Sequence, residues 1–339
     1  MSFDFALLIR WPLSWCRKLT ASGFSTKHWS NFAERGSVLG LRSVFVCYRL
    51  LGERVARLML YPIVGYFFIT GRAARTASKG FLRQVNLKRG ARIPEPSWWD
   101  VYQHMLAFGQ SGLDKLAAWM GGFDRARVDF PDHEELERLT ASGRGAVLIG
   151  SHLGNLEMTR ALAVNNRLAK VNAVLYTKHA LRFNTLLMQA NADFGVNFIQ
   201  ISQLGPETAI LLKERIDRGE LVVIVGDRTP PGEGSRRISL VDFLGKPAPF
   251  AQGPFILASL LECPVYLFFC LREGQGLRIH LEHFAEQIDL PRKTRQERLQ
   301  DYMQRYARRL EHYCLIAPKQ WFNFYDFWRH DAARNPDKD

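Results

Sequence analysis

A histidine stands between an apolar run and the start of a predicted helix in residues 146–162, AVLIGSHLGNLEMTRAL. Glu157 follows His152 by five residues, and on one continuous helix that spacing would turn the two side chains about 140° apart. They can meet only if His152 lies in a loop, which the pair Gly154 and Asn155 allows. A carboxylate beside an imidazole fixes its tautomer and stabilises the imidazolium, so the pattern predicts a general-base pair.

The same residues also have a structural interpretation. His152 can satisfy backbone groups of the loop, and Glu157 can complement the positive end of a helix capped by Asn155. Spacing alone favours neither interpretation.

Short β-branched apolar runs alternate with segments of helical length in the middle of the chain. This alternation predicts an α/β fold with a largely parallel or mixed sheet flanked by helices. In open sheets of this kind ligands bind beyond the carboxyl ends of the strands, which directs attention to the loops SHLGN and DRTPPGEGSRR. The predicted strands are 145–150, 171–176, 197–201, 221–226 and 264–269, and the predicted helices are 98–120, 156–167, 181–193, 206–218 and 251–262.

The first ninety residues interleave basic side chains with aromatic and aliphatic ones, as in LIRWPLSWCRKL. The chain carries a net charge of +13, and this mixture favours an anionic membrane surface as a partner. A charge run, a glycine and the prolines Pro94 and Pro96 then indicate a boundary. We therefore predict an N-terminal helical region that docks on membranes (1–95) and an α/β domain (96–335).

The longest apolar stretch, residues 58–70, contains Pro62 and is shorter than the roughly 20 residues that span a bilayer. An interfacial segment and an ordinary core helix both fit it. The opening residues lack a signal-peptide pattern, since Asp4 and Arg10 interrupt the first apolar run. Five cysteines without a CxxC pair favour free thiols in a reducing compartment.

Several classes of function find no support in the sequence. The histidines show neither zinc-ligand spacing nor an HExxH motif, so we predict no metal, and no GxSxG elbow or P-loop occurs. Nucleic-acid binding is disfavoured because the aromatic residues lie in long apolar runs, unlike exposed stacking platforms. A membrane-bound, lipid-binding scaffold with a structural His152 is the alternative outside the enzymes.

Three blocks of the sequence resemble one enzyme family. SHLGNLE carries the histidine and acidic residue of the lysophospholipid acyltransferase superfamily, and NAVLYTKHALRFNTLL is similar to its acceptor-side segment. The third block is GELVVIVGDRTPPGEGSRRISLVDFLGKPAPFAQGPFILA, followed by the strand CPVYLFF and the aromatic tail QWFNFYDFW. Over residues 95–330 the chain resembles the bacterial lipid A late (lauroyl/myristoyl) acyltransferases. One departure is Arg228, where many relatives have Gln after the acidic residue.

The resemblance implies transfer of a fatty acyl chain from a thioester, on acyl carrier protein or coenzyme A, to a hydroxyl or amine of a lipid-like acceptor, without a cofactor. In that reaction His152 takes the acceptor proton and Glu157 orients the imidazole, and residues 96–335 form the acyltransferase domain. The tetrahedral oxyanion needs fixed donors, for which backbone amides near Gly154 and Asn155 or the cation of Arg228 are candidates. Guanidinium groups suit phosphate oxygens, although solvated surface positions are the alternative for Arg236 and Arg237. The implied substrate contacts are Asn155, Tyr176, Lys178, Arg182, Asn184, Asp227, Arg228, Arg236 and Arg237.

The implied partners are acyl carrier protein, a membrane lipid acceptor and the anionic surface of the membrane, with no nucleic acid. The implied location is the cytoplasmic face of a cell inner membrane, where a soluble carrier can reach the enzyme. Carrier proteins are acidic, so a basic rim would speed their encounter with the chain. An acyltransferase of a dedicated modified-lipid or acylated-pigment pathway is the alternative that keeps the fold and changes the acceptor.

Overall fold

A computed structural model describes residues 38–119, 128–156, 170–176, 196–201, 205–229, 237–274 and 276–328. Its helices are α1 (Val38–Thr70), α2 (Arg72–Lys88), α3 (Trp98–Trp119), α4 (His133–Ala141), α5 (Pro206–Asp217), α6 (Gly253–Leu261) and α7 (Arg295–Ile316), followed by a 3-10 turn, Pro318–Gln320. Its strands are β1 (Val128–Asp129), β2 (Ala146–Gly150), β3 (Val171–Tyr176), β4 (Val196–Ile201), β5 (Leu221–Val225), β6 (Ile238–Phe243), β7 (Lys246–Ala251), β8 (Val265–Glu273) and β9 (Gly276–Ala285).

Seven strands form one mixed sheet in the order β1-β9-β8-β2-β5-β3-β4. Every neighbouring pair is parallel except β8 and β9, which form an antiparallel hairpin. The strands β6 and β7 form a separate antiparallel hairpin that packs beside α7. The prediction of an α/β fold with a mostly parallel sheet flanked by helices is confirmed, and so are its five strands and the helices α3, α5 and α6. The predicted helices 156–167 and 181–193 lie outside the described residues.

The sheet is buried on both faces because successive side chains of a strand point to opposite sides. On β2, Val147 and Ile149 enter the larger core with α7, whereas Ala146 and Leu148 enter the smaller core beneath α4. This double burial explains why the parallel strands are continuous apolar runs. The four cysteines in the described part of the chain are all buried and free.

The helices α1 to α3 form an additional layer. Ala56, Leu60 and Val64 of α1 pack against Leu106 and Leu113 of α3. Gly52, with φ of +81°, breaks α1 into two helical segments. Among the described helices, none is both long and apolar enough to cross a membrane. The predicted boundary near residue 95 falls between α2 and α3 and stays a prediction, as does membrane docking, and residues 1–37 lie outside the described part.

Candidate active site

The site lies at the carboxyl ends of two adjacent parallel strands, β2 and β5. Gly150 and Val225 are register partners at the ends of these strands. His152 and Asp227 each follow two residues later, so the sheet brings them to the same edge. The amide of Gly226 donates to the carbonyl of Gly150 at 3.0 Å and continues the pairing up to the site.

Asp227 is a fully buried carboxylate that accepts three hydrogen bonds. Its Oδ1 lies 2.8 Å from Nδ1 of His152. Its Oδ2 accepts from the backbone amide of His152 at 2.9 Å and from the indole Nε1 of Trp321 at 2.9 Å. The side chain of Asp227 has no exposed surface, whereas 31% of the His152 side chain is exposed. The carboxylate therefore lies behind the imidazole, on its buried side.

The electrostatics of this pair define which nitrogen is basic. Burial alone would raise the pKa of Asp227, but the charge and hydrogen bonds of His152, together with Arg228, lower it overall. The pKa of His152 is lowered, chiefly by burial and next by Arg228, against the opposing effect of Asp227. At neutral pH an ionised Asp227 thus accepts the Nδ1 proton of a neutral imidazole. The Nε2 atom is then the proton acceptor.

The loop after His152 is fixed by backbone hydrogen bonds. The amide of Gly154 donates to the carbonyl of Gln320 at 2.8 Å, and the amide of Asn155 donates to the carbonyl of Cys270 at 2.8 Å. The carbonyl of His152 accepts from the amide of Phe322 at 3.0 Å. The amides of Gly154 and Asn155 are one of the candidates for the oxyanion donors, beside Arg228, and both already bind carbonyl groups of the fold.

Trp321 connects the site to the helical layer, a role that sequence reasoning missed. Its side chain is completely buried, and its carbonyl lies 2.9 Å from Nε2 of His104. The other ring nitrogen of His104 lies 2.8 Å from the hydroxyl of Ser78. Burial lowers the pKa of His104 to about 4, so its ring is neutral. The aromatic tail of the sequence was the available signal, but nothing in it indicated a partner 94 residues earlier.

The sequence model of the bacterial lipid A biosynthesis acyltransferases matches residues 115–330. That match covers most of the chain and includes β2, β5 and the Trp321 segment. The chain belongs to this family. Members are acyltransferases that act on lipid-like acceptors. A comparison with curated proteins finds no match.

In this acyltransferase, Gly154 is required by its surroundings. Its φ is +70°, and a Cβ added there would overlap the carbonyl oxygen of Cys270, which accepts the hydrogen bond of Asn155. Only glycine combines the left-handed conformation with this close approach. The GN pair of the sequence is thus explained by a contact with β8.

We expect Gly154→Ala to destabilise the fold by about 2–4 kcal/mol, since it adds backbone strain and displaces the loop from β8. Gly90→Ala is the matched control, because Gly90 has the same φ of +70° but nothing within 4 Å of its Cβ position. That control is expected to cost only the conformational strain, about 1 kcal/mol. Urea unfolding of both variants measures the difference. Equal losses would show that the contact with Cys270 is unimportant.

Some of the other predicted site residues of the acyltransferase lie in the described part of the chain, and some lie outside it. Arg228 is half-buried, and its Nη2 donates to the carbonyl of Phe322 at 2.8 Å. Arg237 is exposed at the start of β6, and Tyr176 ends β3 at the same edge of the sheet as His152. The predicted residues outside the described part of the chain are Glu157, Lys178, Arg182, Asn184 and Arg236.

The predicted capping role of Asn155 concerns a helix that lies outside the described residues, and it stays a prediction. Its Nδ2 donates to the carbonyl of Ser111 in α3 at 3.3 Å, and its Oδ1 is buried without a hydrogen-bond partner there. Across the same described residues, no group of three or more His, Cys, Asp or Glu side chains could hold a metal ion. The prediction of a reaction without metal or cofactor stays a prediction.

Proposed function

We propose that this acyltransferase moves a fatty acyl chain from an acyl thioester to a hydroxyl or amine of a membrane lipid or glycolipid, with His152 as general base. The observation that carries the proposal is the 2.8 Å contact between Nδ1 of His152 and Asp227. It holds the tautomer in which Nε2 accepts a proton. Asp227 is proposed as the carboxylate that orients the imidazole, a role that the sequence resemblance implied for Glu157.

The reaction needs one proton acceptor that later becomes a proton donor. Nε2 of His152 takes the proton of the acceptor hydroxyl as its oxygen attacks the thioester carbonyl. Collapse of the tetrahedral intermediate breaks the carbon–sulfur bond, and the imidazolium returns the proton to the leaving thiolate. The products are an ester and a free thiol. The thioester is already activated, so no acyl-enzyme, metal or cofactor enters the proposal.

Asp227 favours this cycle electrostatically. Its negative charge stabilises the imidazolium that forms in the first step, and its three hydrogen bonds prevent rotation of the carboxylate. Arg228 lies close enough to His152 for its positive charge to lower the pKa of the imidazole. We propose that the same charge stabilises the oxyanion, since the loop amides are engaged elsewhere.

Membrane association is proposed from the outer face of α1. Val55, Leu58, Tyr66 and Ile69 recur at helical spacing and are all exposed, on the side opposite the face that packs on α3. Cationic Arg54 borders this stripe. An apolar stripe with a basic neighbour fits the boundary between acyl chains and anionic headgroups. On the resemblance, we propose that this membrane surface is the cytoplasmic face of an inner membrane.

We expect Leu58→Glu/Ile69→Glu to weaken binding to vesicles that contain anionic lipid by at least about 30-fold. Each side chain contributes about 1–2 kcal/mol when it enters the acyl boundary. The positions are exposed, so the melting temperature should not change. Leu260→Glu is a matched control, since Leu260 is 58% exposed on α6. Equal vesicle binding by both variants in a co-sedimentation assay would contradict the proposed docking face.

The donor is proposed to be acyl carrier protein, with coenzyme A as the alternative. The net charge of +13 supports an acidic partner. Lys178, Arg182, Asn184, Tyr176, Arg236 and Arg237 stay proposed substrate contacts on the resemblance alone.

The deciding experiment incubates the full-length protein with radiolabelled acyl chains on either acyl carrier protein or coenzyme A and a total bacterial membrane lipid extract. A labelled lipid formed by the native protein and absent with a His152 variant supports the proposal and provides the acceptor. Preference between the two thioesters identifies the donor. If the native protein binds vesicles but labels no lipid with either donor, the non-catalytic scaffold becomes the better interpretation.

A further inference from the structure

A cavity of about 230 Å³ lies beside the loop that follows His152, between α3, the β8–β9 hairpin and the turn Pro318–Gln320. Gly154 and Asn155 line it, and Phe322, whose amide binds the carbonyl of His152, lines it as well. His152 and Asn155 are three positions apart in the chain, which limits their Cα atoms to a separation of about 11 Å. The part of the cavity wall that Asn155 forms is therefore near His152.

Two side-chain oxygens of residues that line the cavity are buried without a hydrogen-bond partner among the described residues. They are Oγ of Ser111 and Oδ1 of Asn155, and the two residues are 8% and 2% exposed. A helical hydroxyl normally binds the carbonyl one turn earlier, as Thr140 does with Leu136 at 2.9 Å. Buried polar groups nearly always have a partner, so this neighbouring pair indicates that something else binds there.

The charged groups around the cavity already have partners. Asp114 binds Arg57 at 2.9 Å and also Arg272, and Lys319 lies 3.0 Å from Asp100. These pairs leave little charge to attract an anion. The oxygen of Asn155 can only accept a hydrogen bond, so its partner must be an N–H or O–H group.

We propose that this cavity binds a neutral segment of a substrate through a hydrogen-bond donor, either an amide N–H or a hydroxyl, that reaches Asn155 Oδ1 and Ser111 Oγ. Two substrates carry this chemistry. The pantetheine arm of the thioester donor has amide N–H groups, and a glycolipid acceptor has hydroxyl and amide groups. The inference rests on the proposed acyl transfer and adds a binding site to it.

The test is steady-state kinetics of Ser111→Ala and Asn155→Ala, with the KM of the thioester and of the lipid acceptor measured separately. Ser111→Ala is expected to raise one KM about fivefold, the usual loss for one hydrogen bond. Its melting temperature should stay the same or rise, because the hydroxyl has no partner to lose. Ser259→Ala, which removes a paired hydroxyl on α6 away from the cavity, should leave both KM values unchanged.

The two KM values show whether the thioester donor or the lipid acceptor enters the cavity. A higher KM for the thioester assigns the cavity to the donor arm, and a higher KM for the lipid assigns it to the acceptor. Unchanged KM values for both substrates in an active Ser111→Ala enzyme overturn the proposal, as does a lower melting temperature with no change in KM. A native protein that transfers no acyl chain would instead refute the proposed function itself.

Discussion

His152→Gln is expected to lower kcat/KM for acyl transfer by about 10³-fold or more, because general-base catalysis contributes up to about 10⁴-fold. Glutamine can still donate to Asp227 from its amide, so the buried carboxylate keeps a partner. It has no basic nitrogen to take the acceptor proton. Initial rates with labelled thioester, at equal amounts of folded protein, measure the loss.

The pH dependence is the second readout of the same substitution. The base works only when neutral, and the pKa of His152 is held below its ordinary 6.5. The native rate should therefore stay high as the pH falls to 6.5 and decline only below it, as His152 becomes protonated. This acidic decline should be absent from the residual rate of His152→Gln. An unchanged profile, or near-native activity of the variant, would mean that another group is the base.

The local features of the site could be predicted from sequence because they depend on nearby residues. The apolar run of β2, His152 after that strand and Gly154 at the turn all lie within residues 146–154. Strand burial and the carboxyl-end rule were enough to select His152 and the loop that contains Asp227. Both loops do lie at the same edge of the sheet.

The partnership of His152 with Asp227 could not be predicted because it depends on strand order. The two residues are 75 positions apart, and they meet only because β2 and β5 are neighbours. A short-range pattern favoured Glu157, which is near in sequence and lies outside the described residues. The contribution of Trp321 has the same origin, since its bond to Asp227 joins the C-terminal segment to the sheet.

The antiparallel strands β6, β7 and β9 were not predicted, for a different reason. Strand β9 alternates apolar and polar residues, GLRIHLEHFA, and its burial alternates in the same way. A continuous apolar run is typical of a strand that is buried on both faces, and such half-exposed strands lack it. β6 has the same alternation of buried and exposed positions. Neither hairpin includes β2 or β5, the two strands that lead to His152 and Asp227.

Asp227→Asn is expected to reduce kcat by about 10³- to 10⁴-fold with little change in KM, because it reverses the tautomer of His152. The Oδ2 position receives two N–H donors, from the backbone of His152 and from Trp321. The amide nitrogen of Asn cannot occupy that position without facing both donors. It must face Nδ1 of His152, which then has to be the unprotonated nitrogen. Nε2 carries the proton instead and cannot accept another.

Glu282→Gln separates this effect from the general cost of neutralising a carboxylate within the fold. Glu282 accepts hydrogen bonds from Arg309, at 2.7 Å, and from Tyr313, on β9 and away from His152. We expect this control to lower the unfolding free energy while kcat per folded molecule stays near native. Loss of the imidazole Nδ1–H signal in the proton NMR spectrum of Asp227→Asn would report the changed tautomer directly. If Asp227→Asn keeps both that signal and native kcat, the carboxylate is a packing group and His152 is oriented by another residue.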